Sequence, residues 1–558
     1  MDEIKIKVFA LENAIKFKGR ANPGAVVGKV ISENPELKKD MKNIVPIINK
    51  IVSEINNMGF DDQKELLFKL NPNFEKEQIA KKKENKEKRS DIPELKNAVM
   101  GKVVTRIAPE PSKYAHLGHA ASFLINYMYK KKYDGKCIIR FDDTNPEKET
   151  QEFVDAMTND VIDYLGIKAD KTVFASDYNE ELILMAEQLI SEGKAYTCTC
   201  QKEMSLNRRE MKSCIHREKS VELVKKEWDE MKLGENKGMV LRLKIDMQHK
   251  NAVMRDPVIF RIITTTHYRQ KDTFKVWPMY DFECAILEGK LGITHVNRSN
   301  EFESRIELQD YIRGLFDLQN PTIRQYARFN VTGAITKGRE IKEMIDSGEY
   351  IGWDDPRLLT LRALKRRGIL PESFYELAKV LGMSKTNSNL DFSVIASINR
   401  KLLDETSKRF FCVIDPVEIR IKNVPSRELN LKMHPHLNIG TRKLKVGTDY
   451  YIENKDKKEL ETGKVMRLID NCTFKGDEFI SIEHTDKSAS MIHYVPIDEN
   501  EIVSIEIRMP DNSIVEGLAE KSVECLKVGE IVQFQRFGFC RLDEIRDDGT
   551  RSFWYTHK

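Results

Sequence analysis

The stretch from Lys102 to His119 constrains the fold more than any other part of this chain. KVVTRIA reads as a buried strand, a loop with two prolines follows, and a helix opens near Gly118. A strand that feeds a helix through a short loop is the repeating unit of parallel α/β sheets. The junction itself reads Tyr114-Ala115-His116-Leu117-Gly118-His119. A helix N-terminus there offers unpaired N–H groups and a positive dipole end to phosphate. Gly118 allows close approach to the backbone. His116 and His119 can donate hydrogen bonds to phosphate oxygens as charge develops on them. Open α/β sheets bind nucleotides at such points, so the pattern predicts a nucleotide site. The competing reading is a pair of histidines that only satisfy their own helix start.

The alternation continues. CIIRFDD is a second strand, helices are expected near 148–165 and 178–193, and ITHVNR at 293–298 is another strand. The stretch 195–283 interrupts the pattern and reads as an insertion, and 353–403 returns to helix. Upstream, Leu11, Ala14 and Ile15 share a helical face, as do Ile44, Ile47, Ile48, Ile51 and Ile55, with an Asn22-Pro23-Gly24 turn between them. Residues 80–93, AKKKENKEKRSDIP, read as a solvated linker or as an arm that contacts phosphates. Beyond 408, RFFCVIDPVEIRI, EFISIEH, IVSIEIRM and EIVQFQRFGF are short strands between turns. The expected organisation is multidomain: a helical N-terminal extension with its linker (1–93), an α/β Rossmann-like catalytic domain in two halves (94–194 and 284–345), the insertion (195–283), a helical connector (346–407) and an all-β barrel region (408–558).

Composition sets the limits. At about 150 residues per domain, 558 residues give three or four domains. Lys plus Arg is 92 and Asp plus Glu 88, a net charge of +4, so any nucleic-acid surface is local rather than global. No apolar run approaches the ~18 residues of a membrane span, and MDEIKIK has no apolar signal core. Nine cysteines, an odd and modest number, argue for a reducing, cytoplasmic setting.

Four of the potential ligands are closely spaced. Cys198-x-Cys200 precedes Cys214-x-His216, a complete tetrahedral zinc set with no open position, hence a structural site. The alternative is a set of reduced cysteines in a small core.

TRIAPEPSKYAHLGHA resembles the ATP-binding signature of class I aminoacyl-tRNA synthetases in their glutamate/glutamine branch. RFDDTNPEKE, from Arg140 to Glu149, resembles the second hallmark of that branch. VWPMYDFECAILEGKLGITHVNRSNEF and GWDDPRLLTLRALKRRG are further blocks of the same kind. The N-terminal helices and β-rich C-terminus are similar to the archaeal and eukaryotic type of glutamyl-tRNA synthetase. The resemblance implies ATP with Mg²⁺, glutamate and tRNA(Glu) as partners, with tRNA(Gln) as an additional acceptor in some members. It implies no membrane and a monomer. By the family pattern Arg106 contacts the amino acid, Glu110 and Asp142 lie near its α-amino group, and Tyr280 lines its pocket. Two carboxylates beside an ammonium suit charge-assisted hydrogen bonding. Arg298, at the end of the ITHVNR strand, stands where glutamate-specific members carry arginine and glutamine-specific ones a small uncharged residue. A γ-carboxylate needs such a cation. The alternative pairs Arg298 with Glu301 or Glu303.

The family's second signature, a mobile loop with lysine on the ATP phosphates, departs from its usual form. Its S-K-x-K core reads Thr336-Lys337-Gly338-Arg339, with Ile335 before it. Lys337 is expected to be the catalytic cation and Arg339 the second, both on ATP. The Cys-x-Cys and Cys-x-His pairs resemble the metal site of the family's acceptor-binding insertion. In the β region Arg409, Phe410 and Phe411, and Phe534, Arg536, Phe537, Phe539 and Arg541, suit stacking on unpaired bases or an ordinary β core equally well. The expected activity is ATP-dependent glutamylation of tRNA. Glutaminyl-tRNA synthetase is the nearest alternative, and a non-catalytic tRNA-binding scaffold the alternative of another class.

Overall fold

A computed structural model describes residues 3–17, 19–34, 36, 41–72, 74, 92–200, 202–327, 329–335, 337–382, 388–484 and 486–558. Most of the basic stretch 80–93 lies outside the described residues. The chain divides into two compact units, Met1–Asp91 and Ile92–Lys558.

The first unit holds helices α1 (Glu3–Lys16), α2 (Pro23–Glu33), α3 (Met41–Asn56) and α4 (Phe60–Leu70). Asn22 caps α2 by accepting from the Ala25 N–H, and Pro23, which has no N–H to leave unpaired, takes the first turn. Leu11, Ala14, Ile48, Ile55 and Leu67 are fully buried in one core. Ile47, read as part of the isoleucine stripe, sits on its outer edge and is 38% exposed.

In the second unit, strands β1 (Val104–Ile107), β2 (Lys136–Phe141) and β3 (Lys171–Phe174) form a parallel sheet in the order β1-β2-β3. Strands β4 (His295–Ser299) and β5 (Thr322–Tyr326) pair in parallel. Just ahead of β4, Thr294 donates its N–H to the Val104 carbonyl at 3.0 Å, and the Val104 N–H donates to Thr294 Oγ1 at 2.8 Å. The order is therefore β3-β2-β1-β4-β5, and the winding reverses between β1 and β4. Ligands bind beyond the carboxyl ends of the strands at such a reversal.

Helix α5 (Leu117–Lys132) packs Leu117, Ala120, Ala121, Leu124 and Ile125 into the core beneath this sheet. The helix expected near 148–165 runs as Gln151–Met157 and continues as a π-helical turn, Thr158–Asp163. The insertion is built on a four-stranded antiparallel sheet, Ala195–Cys198, Val240–Leu243, Val258–Ile262 and Val276–Pro278. Two residues later Tyr280 opens helix α6 (Tyr280–Lys290), so the boundary expected at 283 falls inside this helix.

The connector carries helices Leu361–Arg366, Pro371–Gly382 and Phe392–Asp404. The C-terminal region is β-rich as expected, with one α-helix, Asn454–Leu460, and one 3-10 helix, Lys521–Cys525, among its described residues. Its largest sheet has seven strands, and the edges are Arg409–Phe410 and Cys412–Ile414. These two edges are consecutive in the chain, so the sheet curls back on itself as a barrel does. Phe410 faces one core and Phe411 another, and both are fully buried, as is Phe534; Phe539 is 1% exposed. These aromatics are core residues, which decides the ambiguous pattern against stacking on bases at those positions. Arg536 and Arg541 are held by Asp456 and Asp543.

Candidate active site

A cavity of about 890 Å³ opens at the carboxyl ends of β1 and β4. Arg106 reaches it from the end of β1, Asp142 from just past β2, Arg298 from β4, and Tyr280 from the start of α6. His116, Gly118 and His119 border it at the N-terminus of α5, with Glu110 and Lys337 also on its wall.

The two histidines form a reciprocal cap. His116 Nδ1 accepts from the Gly118 N–H at 3.1 Å, and His119 Nδ1 accepts from the His116 N–H at 3.2 Å. The self-satisfied helix start, the competing reading of the two histidines, is thus present in the fold. An Nδ1 that accepts must leave the proton on Nε2. Burial, and then Lys113, hold His116 down at about 4, and burial with His116 holds His119 well below its ordinary value. Both rings are neutral Nε2–H donors at physiological pH, while the first N–H groups of the helix are already paired, Leu117 with the Leu359 carbonyl at 3.2 Å, Gly118 with His116 Nδ1 and His119 with the His116 carbonyl at 2.9 Å.

Opposite them lies a network of buried charges. Arg106 donates from Nε and Nη2 to Glu288 Oε1, each at 2.9 Å, and Arg313 reaches Glu288 Oε2 at 3.3 Å. Burial opposes ionisation of Glu288, but Arg106, Arg140, Arg298 and Arg313 outweigh it and keep its pKa low. Arg140 grips Asp142 with two bonds, at 2.6 and 3.0 Å. Glu283 accepts from Thr144 Oγ1 at 2.9 Å, and burial and Asp142 push it well above the usual carboxylate range. Burial raises Glu149 to about 10, so it is a neutral acid at neutral pH. Asp143 holds the insertion's loop to the sheet: its carboxylate accepts from Ser176 N–H, Ser176 Oγ and Tyr268 OH.

Arg298 is 4% exposed. Its Nη1 donates to Gln309 Oε1 at 2.8 Å, while Nε and Nη2 are buried without a partner. The pairing with Glu301 or Glu303 is absent from its described contacts, and Phe302 lies beneath the guanidinium at 5.7 Å. A buried guanidinium with two unmet donors on a cavity wall is suited to a carboxylate.

Of the two loop cations, Lys337 borders the cavity and bonds Glu340 at 2.7 Å. Arg339 is 92% exposed at its side chain, pairs with Glu343, and does not border the cavity. Ile335 packs with Ile341 and Leu358 behind it. Thr336 lies outside the described residues.

The insertion brings the four expected ligands together. One donor atom from each of Cys198, Cys200, Cys214 and His216 falls within 4.8 Å of all the others. The Cys198 and Cys214 sulfurs are 3.9 Å apart, and His216 Nδ1 lies 3.3 Å from Cys200 Sγ and 3.8 Å from Cys198 Sγ. These lie close to the edges, about 3.5–3.8 Å, of a tetrahedron with zinc-length arms. His216 Nε2 meets Thr199 Oγ1 at 3.1 Å, which leaves Nδ1 as the ligand atom.

Several of these participants were not evident from sequence. Arg140, Glu149, Glu283 and Glu288 stand inside the motif blocks, and helical spacing would have placed Tyr280, Glu283 and Glu288 near one face of α6. Gln309 carries no motif signal.

Residues 102–405 match the family described as "tRNA synthetases class I (E and Q), catalytic domain". Residues 407–495 and 491–543 match two descriptions of the anti-codon binding domain of the same synthetases. The chain belongs to the class I tRNA synthetases of the glutamate and glutamine branch, as its doubly wound sheet and HLGH helix start lead one to expect. Its relatives are narrower in name. The "Glutamate--tRNA ligase" of Pyrococcus furiosus is 39% identical over 573 residues, covering 99% of this chain and 98% of that one. The protein of the same name from Pyrococcus abyssi is 40% identical over the full length of both. That of Methanocaldococcus jannaschii is 36% identical over 98% of each.

Proposed function

We propose that this chain is a glutamate–tRNA ligase that activates glutamate with ATP and transfers it to tRNA(Glu). In the first step the α-carboxylate of glutamate attacks the α-phosphorus of ATP, and pyrophosphate leaves with its Mg²⁺. In the second, a hydroxyl of the terminal ribose attacks the glutamyl adenylate and AMP leaves. Such chemistry needs positioning and charge neutralisation rather than a protein nucleophile. His116 and His119 donate Nε2–H to phosphate oxygens, and Lys337 brings a cation from the loop. Asp142, held by Arg140, and Tyr280 receive the amino end of glutamate with Glu110 near it, while Arg106 and Arg298 face its carboxylates.

The observation that carries glutamate over glutamine is the buried, half-unpaired guanidinium of Arg298. A neutral amide there would leave the charge uncompensated, at a cost of several kcal/mol. In the same reading the Cys198, Cys200, Cys214 and His216 cluster holds a structural Zn²⁺ that shapes an acceptor-binding insertion, and the β region takes the anticodon arm. The protein acts as a cytoplasmic monomer, and its domains follow the limits drawn from sequence except that the insertion ends ahead of Tyr280, where α6 begins. Among the described residues no helix is long and apolar enough to cross a membrane.

Pyrophosphate exchange with ATP, glutamate and tRNA, followed by charging with glutamate or glutamine, tests the proposal. Glutamate-dependent exchange and charging are expected. Equal charging with glutamine overturns the specificity, and a protein that binds tRNA without exchange is a scaffold instead.

A further inference from the structure

Four consecutive side chains of the insertion tie it to the catalytic sheet. They sit in the loop that joins the strands Val258–Ile262 and Val276–Pro278. That loop is exposed at residues 264–266 and again at 271–273, yet His267 between them is fully buried. Loops run over surfaces because their backbone polar groups need partners, so a stretch that turns inward must find its partners inside. His267 Nδ1 accepts from the Arg269 and Gln270 N–H groups at 3.1 and 2.9 Å, which leaves the ring proton on Nε2. Nε2 donates to the Asp143 carbonyl at 2.9 Å. Burial lowers the ring to about 4, so it stays neutral in that role. Tyr268 donates its hydroxyl to Asp143 Oδ2 at 2.7 Å. Arg269 Nη2 reaches both oxygens of Asp177, at 2.9 and 2.8 Å, with its guanidinium 3.7 Å over the Phe174 ring. Gln270 adds a bond to Asp177 at 2.9 Å.

These contacts converge on the neighbour of Asp142. Asp143 is fully buried, and besides Tyr268 its carboxylate accepts from the Ser176 N–H and hydroxyl, each at 2.8 Å. Ser176 and Asp177 belong to the turn Ala175–Tyr178 that follows β3, so the insertion grips Asp143 directly and also grips the turn that supports it. Asp142 lines the active-site cavity and is held on its other side by Arg140 and by its own N–H, which donates to the Pro109 carbonyl at 3.0 Å. One planar peptide of fixed length joins the two aspartates, so a shift of Asp143 carries Asp142 with it. A tie that only joined two domains would serve anywhere along their border. This one is made beside a carboxylate of the cavity wall.

We propose that His267 and Tyr268 are positioning residues for the amino-acid site: by holding Asp143 they set the place of Asp142, so that the insertion completes the pocket for the amino end of glutamate. This rests on the placement of glutamate proposed above. Positioning of this kind acts on one substrate. A displaced Asp142 weakens glutamate and spares ATP, whose proposed donors lie on α5, because small misplacements at a binding group are felt by the group it meets.

The experiment uses the full-length protein and the variants Tyr268→Phe, which deletes a single hydroxyl, His267→Leu, and His267→Gln, whose amide N–H can stand where the imidazole Nε2–H stood. Two quantities are read: KM for glutamate and for ATP in pyrophosphate exchange with tRNA present, and deuterium uptake by the peptide covering residues 140–145. Tyr268→Phe should raise KM for glutamate about three- to tenfold, the scale of one lost hydrogen bond. KM for ATP should stay within about twofold of the parent, and the 140–145 peptide should take up deuterium faster. His267→Leu should do more, and His267→Gln should recover most of that loss. If His267→Leu does not fold, Tyr268→Phe carries the test. A merely structural tie lowers the active fraction, so kcat falls while both KM values hold, and that result overturns the proposal. Faster uptake with KM for glutamate unchanged overturns it as well. So does a raised KM without faster uptake, because the effect then does not run through Asp142. A parent that shows no glutamate-dependent exchange refutes the proposed function instead. Deuterium uptake then decides alone whether the insertion holds Asp142: faster uptake in the variants supports the hold, and unchanged uptake overturns it.

Discussion

In the proposed function Arg298 concentrates the specificity of the site in one side chain. It is buried, held on one side by Gln309, and left with two unmet donors. Arg298→Ala should therefore lose glutamate activation by two to four powers of ten, the scale of about 3–5 kcal/mol for a broken buried pair. KM for ATP should change little, because the proposed phosphate donors lie on α5. Steady-state exchange at varied glutamate checks this, and a variant that keeps its preference for glutamate over glutamine refutes it. Lys337 and Arg339 are separated by position. If Lys337 is the phosphate cation, Lys337→Ala should lower the activation rate far more than it raises KM for glutamate, because such a contact belongs to the transition state. Arg339→Ala, off the cavity, should do so much less. Glu149 offers a test of protonation. A carboxyl raised in the fold to about 10 binds a proton that the unfolded chain has released above about 4.5. It is most stabilising below about 4.5, and that contribution is lost as pH rises toward 10. Glu149→Gln resembles the neutral acid, so its stability relative to the parent should increase from pH 5 to pH 8.5. Urea unfolding at the two pH values measures it, and a gap that does not widen rejects the neutral acid.

At the scale of elements, much was legible before the coordinates. The strand β1, the helix start at His116 and the strand β4 followed from apolar runs bounded by turn and cap residues. The Cys-x-Cys and Cys-x-His pairs predicted their own convergence, because the ligands sit at the end of the strand Ala195–Cys198 and in the turn at Ile215–Glu218. The charges were harder to read. Nothing in the sequence around Glu288 on α6 says which cations it meets. Only the fold brings Arg106 and Arg313, 182 residues before it and 25 after, onto its two oxygens. The β region was ambiguous for a related reason. Alternating arginine and aromatic residues describe both a binding face and a strand between two cores, and closure of the sheet, a long-range event, buries Phe410 and Phe411. The insertion carries its own prediction. Purified protein should hold about one zinc per chain, and Cys214→Ser should release it and weaken acceptor-end binding more than ATP binding. Metal analysis finding no zinc in protein prepared without chelator would retire the site.

For the whole molecule, the unit Met1–Asp91 has its own core and gives no described residue to the active-site cavity. A chain that begins at Ile92 should then keep glutamate activation within about twofold of the parent, since domains with separate cores fold separately. Loss of exchange in a folded truncated chain would tie that unit to catalysis. The rest of the molecule does not divide its stability from its substrate so cleanly. The guanidinium of Arg298 is a buried cation whose charge the protein leaves only partly answered, and a molecule built this way is under tension that its own ligand relieves. Binding confined to the native state stabilises it by RT ln(1 + [L]/Kd). The melting temperature thus becomes a readout of the amino acid pool. It should climb with glutamate, respond weakly to glutamine, and lose that contrast when Arg298 is removed, so that in a cell the lifetime of the enzyme rises and falls with the supply of the substrate it consumes.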